Sequence, residues 1–319
     1  MSSLLLHIIM LIGSDLRILS ALDTPASISE LSEITGYSVS YVSERISHLQ
    51  ELELVAVSRE GRSKKVHALP TILFETYKDL TSRHSHIDLP TFISPSMLQI
   101  CWFLDRPTSV SEMRSKLELK RRRIYQLLEK LQSRGFIKKE NNRYVITDRL
   151  NGLVRFAQTA IRYEHQHRAE TDLPGSNVVW SSPHESLVIP AEKNSENITE
   201  DSNWYLTGIP RFSVYGLDFF TAKPTYFYSE LRDTLTPVDL ISHTLIIEAD
   251  TRNLSFCALL MISENISSER LKDVSTYYDI GDLVDALVTF IETKGETSPE
   301  SLPEWGEFES LAKQYGVIL

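Results

Sequence analysis

The sequence predicts an α+β fold: two small modules of three helices and a basic hairpin in tandem, then a mixed domain with a small sheet and a helical C-terminal half. Three observations predict it. Residues 1–88 and 89–150 pass through the same order of apolar helical faces, Gly or Pro breaks and strand pairs. Charge is uneven: eleven Lys/Arg face three Glu from Arg114 to Arg143, a local +8, whereas nine Lys/Arg face twenty-four Asp/Glu from Thr171 to Leu319, a local −15. Beyond residue 171 the repeated order is lost. A chain of 319 residues can hold two or three separate cores. We place module 1 with a connecting helix at 1–88, module 2 at 89–150, a linker helix at 151–170 and an acidic domain at 171–319.

In module 1, Leu16, Ile18, Leu19 and Leu22 make one apolar helical face. After the Thr24–Pro25 break, Ser27 and Glu30 have capping-box spacing for a short second helix with Ile28, Leu31 and Ile34 facing inward. Gly36 supplies a turn, and Ser38 caps a third helix carrying Val42, Ile46, Leu49 and Leu52. Leu54–Val57 and Val66–Leu69 flank the basic tip Arg59–Lys65 as a hairpin. Pro70–His84 reads as the connecting helix.

Module 2 repeats the order. Ser96–Leu104 is helical, Asp105–Pro107 breaks it, and Thr108 or Ser109 caps a helix with Val110, Met113 and Leu117 inward. Lys120–Arg134 forms the third helix on Ile124, Leu127, Leu128 and Leu131, and Gly135 ends it. Phe136–Lys139 and Arg143–Ile146 are hairpin strands around Asn141–Asn142. Laying Ile46–Val55 over Leu128–Ile137 matches apolar with apolar except at Leu52 over Arg134, an internal repeat of a small domain. The segment 147–168 is helical on Leu150, Leu153, Val154, Ala157 and Ile161. In the last domain, 176–180 and 186–189 alternate like strands, 192–203 is a polar loop, and 238–247, 254–263, 268–277, 281–293 and 305–315 are helical.

Several function classes are set aside. The apolar run Leu4–Ile12 is too short to span a bilayer and lacks the flanks of a signal peptide, so a cytoplasmic protein without a membrane partner is expected. The glycosylation triplets at Asn197, Asn253 and Asn265 then carry no meaning. Cys101 and Cys257 sit in apolar helical patterns and read as buried small hydrophobes. His84/His86 and His165/His167 are i,i+2 pairs that share no helix face and read as surface histidines; His243 reads as a satisfied core residue. Asp279, Asp282 and Asp285 could bind a cation, and capping and solvation explain them equally well. With no phosphate loop, G-x-S-x-G or H-E-x-x-H, no enzyme, cofactor or metal is expected.

Three helices closed by a basic hairpin is the order of a winged helix-turn-helix module, whose third helix enters the DNA major groove by its N-terminal residues. In module 2 those residues are Lys120, Arg121, Arg122, Arg123, Tyr125 and Gln126; Arg suits guanine and Gln suits adenine. Lys130, Arg134, Lys138, Lys139 and Arg143 suit phosphates. Four cations opening a helix oppose its dipole, which calls for an anionic partner. In module 1 the candidates are Ser38, Ser40, Tyr41, Ser43, Glu44 and Arg45, with Arg59, Arg62, Lys64 and Lys65 on the wing. That helix is nearly neutral, so contact through its wing and a dimerisation role both stay open. The net charge of −10 is no obstacle, because its distribution decides.

The segment Gly36–Ser43 through Leu52–Val55 resembles the recognition segment of winged-helix regulators of the ArsR/MarR type, particularly archaeal ones. The resemblance covers roughly residues 1–150 and implies double-stranded DNA as partner; that family's metal-sensing cysteines have no counterpart here. Tyr205–Gly208, Tyr215–Leu217, Tyr226–Tyr228 and Pro237–Leu245 are similar to the C-terminal domain of type IV antitoxins of the AbiEi type. That likeness implies an alternative function: an antitoxin-like protein whose acidic domain binds a nucleotidyltransferase-type partner while the winged helices autoregulate the operon. The leading expectation is a transcriptional regulator that binds duplex DNA through both modules or as a homodimer.

Overall fold

The computed structural model describes residues 11–60, 63–191, 203–219, 223–297 and 302–319. Most of the apolar run Leu4–Ile12, the hairpin tip with Arg62, Asn197 and most of the polar loop 192–203 lie outside the described residues. The chain is mixed α+β and divides into two compact units, Met1–His167 and Arg168–Leu319.

The first unit opens with α1 (Gly13–Ser20), α2 (Ile28–Thr35) and α3 (Val39–Glu51), then a hairpin of β1 (Val55–Glu60) and β2 (Ser63–Ala68) in antiparallel register from Val55↔Ala68 to Glu60↔Ser63. The connecting helix α4 (Ile72–Arg83) and the short α5 (Leu89–Phe92) lead to the second copy. It consists of α6 (Pro95–Trp102), β3 (Thr108–Ser109), α7 (Val110–Lys116), α8 (Arg121–Gln132), β4 (Ile137–Glu140) and β5 (Arg143–Ile146), with strand order β3-β5-β4. Three helices and a hairpin therefore occur twice, and the starts of α1, α2 and α3 each lie 82 positions before those of α6, α7 and α8.

The repeat extends to its local chemistry. Ser27 and Ser109 both cap their helices through reciprocal boxes: Glu30 N and Glu112 N donate to the serine hydroxyls at 3.2 Å, and each glutamate accepts from its own serine N–H. On the third helices, Val42, Ile46 and Leu49 are buried at the positions matching Ile124, Leu128 and Leu131. Asn141 and Asn142 both take positive φ (48° and 61°), the conformation that a two-residue turn needs and Asn tolerates. Thr108 and Ser109 pair with β5 as well as leading into α7, a third strand that their capping signal does not predict.

The two copies share one core, running from Leu11 to Ile161. Two helices fill it between the copies. Tyr77 of α4 is 2% exposed, with its hydroxyl on Leu16 O (3.1 Å) and Ser20 Oγ (2.8 Å) and its ring 5.3 Å from that of Phe156. Phe156 belongs to α9 (Asn151–Asp172), whose apolar face Leu153, Val154, Ala157 and Ile161 is buried as the periodicity predicts. Tyr163 Oη donates to Leu52 O at 2.8 Å and the His167 ring bonds Glu51 O at 2.8 Å, so α9 satisfies the last carbonyls of α3. The surface reading is corrected for His165, which is 3% exposed, whereas His167 is half-buried.

In the second unit, β6 (Asn177–Ser181), β7 (Glu185–Ile189), β8 (Trp204–Thr207) and β9 (Thr225–Ser229) form an antiparallel sheet of order β6-β7-β9-β8. A 3-10 segment, Ile209–Tyr215, follows β8. The helices are α10 (Pro237–Ile247), α11 (Thr251–Ser263), α12 (Ser268–Tyr278), α13 (Gly281–Glu292) and α14 (Trp305–Gln314), with α10 packed on α11 and α12. Glu185 is buried with Arg232 Nε on Oε1 at 2.6 Å and Tyr277 Oη on Oε2 at 2.7 Å; Arg232 also grips Asp239. His243 is fully buried, its ring nitrogens bonded to Thr207 Oγ1 (2.6 Å) and Tyr278 Oη (3.0 Å), a satisfied core histidine as expected. Burial pushes the thiols of Cys101 and Cys257 up, so both are inert packing groups. Among the described residues no helix is long and apolar enough to cross a membrane.

Candidate nucleic-acid interface

The sequence of α8 sorts its residues by face. Ile124, Leu127, Leu128 and Leu131 are buried, which leaves Arg121, Arg122, Tyr125, Gln126 and Glu129 in solvent. Lys120, the N-cap, is also exposed and supplies no side-chain cap. Lys120, Arg121, Arg122 and Arg123 thus crowd the positive end of a helix, where cations are unfavourable. Among the described residues no carboxylate lies within ion-pair distance of any of the four. Arg121 Nη2 donates to Tyr125 Oη at 3.3 Å with its guanidinium carbon 5.6 Å from the ring centre; that bond raises its pKa, so it stays a cation.

The other candidate cations, Lys130, Arg134, Lys138, Lys139 and Arg143, are engaged locally. Lys130 Nζ donates to Phe92 O at 2.9 Å and lies 4.5 Å from the Phe92 ring centre, while Arg134 covers the same ring at 4.7 Å. Burial, then the charges of Arg134 and Arg123, lower the Lys130 pKa. Arg143 bonds Pro107 O and Glu112 Oε1, both at 3.0 Å. Lys138 pairs with Glu140 across exposed side chains at 3.0 Å, and Lys139 sits 5.4 Å from the Tyr144 ring centre.

The first copy is built differently at the same positions. Ser38 caps α3 through Tyr41 N at 3.3 Å, and its hydroxyl lies 3.2 Å from that of Ser40. Tyr41 bonds Ser14 Oγ at 2.9 Å and meets the Tyr37 ring edge-on. Arg45 is committed inward: its Nε and Nη2 each donate to Asp15 at 2.7 Å, and Asp15 is fully buried. Burial opposes the charged guanidinium, but the Asp15 carboxylate outweighs it and raises the Arg45 pKa. Ser43 and Glu44 remain exposed.

On the hairpin, Lys65 pairs with Glu30 at 2.6 Å. That bond, with those from Ser27, holds the Glu30 carboxyl down to about 2. Glu112 is likewise lowered: burial opposes ionisation, and Ser109 and Arg143 overcome it. Each copy therefore has a capping glutamate that also grips a cation of its hairpin's second strand. Arg59 and Lys64 are cross-strand partners and line, with Ser43, Ser47 and Gln50 of α3, a groove of about 610 Å³. Sequence reasoning named Ser43, Arg59 and Lys64 but missed Ser47 and Gln50, whose spacing (i+4 and i+7 from Ser43) was the available signal.

Among the described residues no group of three His, Cys, Asp or Glu could hold a metal ion. A family model described as HVO_2833_C, C-terminal, matches residues 201–317. The match lies within the second unit and covers neither copy of the three-helix module. No curated protein matches this chain.

Proposed function

We propose that this chain is a sequence-specific, double-stranded DNA-binding transcriptional regulator, with its two helix–hairpin copies acting as winged-helix modules. One observation carries the reading: the first turn of α8 presents Lys120, Arg121, Arg122 and Arg123 to solvent, with no carboxylate partner among the described residues, against the unfavourable end of the helix dipole. A folded protein keeps such a cluster at a cost in stability, and phosphate oxygens and guanine edges are the groups that offset it. Gln126 lies one turn from Arg122 on the same exposed face, which suits it to adenine. The second copy is the principal reader, since Arg45, Tyr41 and Lys65 of the first are engaged within the protein. The acidic second unit is the part that receives a signal or a partner.

The test is protection of the DNA upstream of the chain's own gene. The intact protein is expected to protect a discrete segment. The variant Arg121→Ala/Arg122→Ala/Arg123→Ala is expected to lose that protection while keeping its circular dichroism spectrum. Unchanged protection by the triple variant removes α8 as the reader.

A further inference from the structure

A pocket of about 370 Å³ lies in the first unit between α8 and the segment 86–92, which includes α5. Lys130 and Arg134 line it from the end of α8 and the turn that follows. Ile87, Phe92 and Phe136 supply its apolar part. Its one carboxylate, Asp88, already accepts from Arg17 Nη2 on both oxygens, at 3.2 and 3.1 Å.

The two cations are held side by side, and neither is neutralised. Lys130 Nζ and the Arg134 guanidinium carbon lie 4.5 and 4.7 Å from the centre of the same Phe92 ring. They stand four residues apart, a spacing at which like charges repel. Among the described residues no carboxylate lies within ion-pair distance of either. Lys130 spends one of its three N–H donors on Phe92 O, and Arg134 keeps its five N–H donors over the ring, which offers them no oxygen. Burial first, and then the charges of Arg134 and Arg123, lower the Lys130 pKa, so the local field is positive.

The repeat shows that the module does not need this pair in order to fold. At the offset of 82, Lys130 and Arg134 take the places of His48 and Leu52 in the first copy, and Leu52 is a core residue at 3% exposure. Leu52 over Arg134 is also the one mismatch in character between the segments 46–55 and 128–137. The second copy thus exchanges a core leucine for an exposed guanidinium beside the pocket.

We propose that this pocket binds a phosphate dianion, free or as the monoester of a small organic group. Arg134 offers the planar fork that matches two phosphate oxygens, and Lys130 offers a point charge beside it. Asp88 is matched by Arg17, so two positive charges meet two negative ones; a monoanion would leave one cation over. An organic body would lie on the apolar part. The volume falls at the small end of ligand pockets. The inference rests on this pocket alone and holds whether or not Lys120–Arg123 bind DNA.

The experiment is calorimetric titration of the full chain, without DNA and at constant ionic strength, with inorganic phosphate, phenyl phosphate and phenyl sulfate. Phenyl sulfate keeps the shape of phenyl phosphate but carries a single charge. Saturable binding of at least one phosphate is expected, with phenyl sulfate weaker by about tenfold. Tighter binding of phenyl phosphate than of inorganic phosphate assigns the ligand as an ester, and the reverse assigns it as the free ion; both support the site. Arg134→Gln, at an exposed position, should weaken binding by about tenfold with unchanged circular dichroism. Arg121→Ala/Arg122→Ala, at the other end of α8, should leave phosphate affinity in place. Absence of heat with both phosphates at millimolar concentration overturns the proposal. So does equal binding of phenyl sulfate, binding that Arg134→Gln does not alter, or binding that the Arg121→Ala/Arg122→Ala variant loses.

Discussion

Arg45 closes a two-pronged ion pair on the fully buried Asp15, and the repeat puts Leu127 and Met97 at the same two positions of the second copy. Met97 and Leu127 are buried, at 0% and 3% exposure. One copy thus joins its first and third helices through charge, and the other joins them through hydrocarbon.

The repeat therefore predicts its own substitution experiment. Removing one partner of a buried pair leaves an uncompensated charge, so Arg45→Ala should destabilise the protein by about 3–5 kcal/mol. The double substitution Asp15→Met/Arg45→Leu copies the second module and should change stability by no more than about 1 kcal/mol, because well-packed hydrophobes replace buried pairs at little cost. Denaturant midpoints of the single and double variants check this. A double variant as unstable as the single would show that the copies are not interchangeable here.

Lys130 and Arg122 are one charge each but should behave oppositely. Lys130→Met breaks a charged hydrogen bond to Phe92 O and a ring contact, and is expected to lower stability by about 1–3 kcal/mol. Arg122 has no internal partner among the described residues, so Arg122→Gln should leave the unfolding midpoint in place. In DNA binding, Arg122→Gln should reduce the log–log salt slope by about 1, the effect of one phosphate contact. Unfolding curves and salt titrations of both variants separate the two roles.

The buried His243 makes the second unit acid-sensitive well above the carboxylate range. Burial, aided by Arg232 and opposed by Asp239, pushes its pKa from 6.5 down to about 3. The unfolded chain takes up a proton near pH 6.5 and the folded chain does so only near 3, so stability falls as pH drops through that window. The slope from this group is about 1.4 kcal/mol per pH unit. Asp239 and Glu230 are also lowered, against the cost of burial, by Arg232 for Asp239 and by His184 and Arg168 for Glu230. Their stabilisation is lost only below about 4.5. His48 and His84 are lowered as well and act in the same window, so the difference between the native chain and His243→Gln in thermal unfolding between pH 6.5 and 5 isolates this histidine. His243→Gln should flatten the profile there, and an unchanged profile would contradict the assignment.

Much of this architecture was legible in the sequence because local and tertiary signals agree. Ser27/Glu30 and Ser109/Glu112 announce helix starts by chemistry that needs no tertiary context, and the i, i+4, i+7 spacing of Val42, Ile46 and Leu49 fixes the buried face of α3. What the local sequence did not carry is pairing across long separations. Nothing near Arg45 announces that Asp15, thirty residues earlier, accepts from its guanidinium. Nothing near Lys130 announces that Phe92 O accepts from its ammonium. The i,i+2 spacing at His165 likewise carries no sign of its burial. For the candidate interface, the cations of the first turn of α8 were readable because they need no partner within the protein.

Contact between Lys120–Arg123 and DNA is checked by a salt titration of the intact chain against a fluorescent duplex of its own upstream sequence, beside a scrambled duplex. Tight binding that prefers the native duplex is expected, with a log–log slope of about −5 if six phosphates are neutralised. Weak binding that fails to distinguish the two duplexes would contradict it.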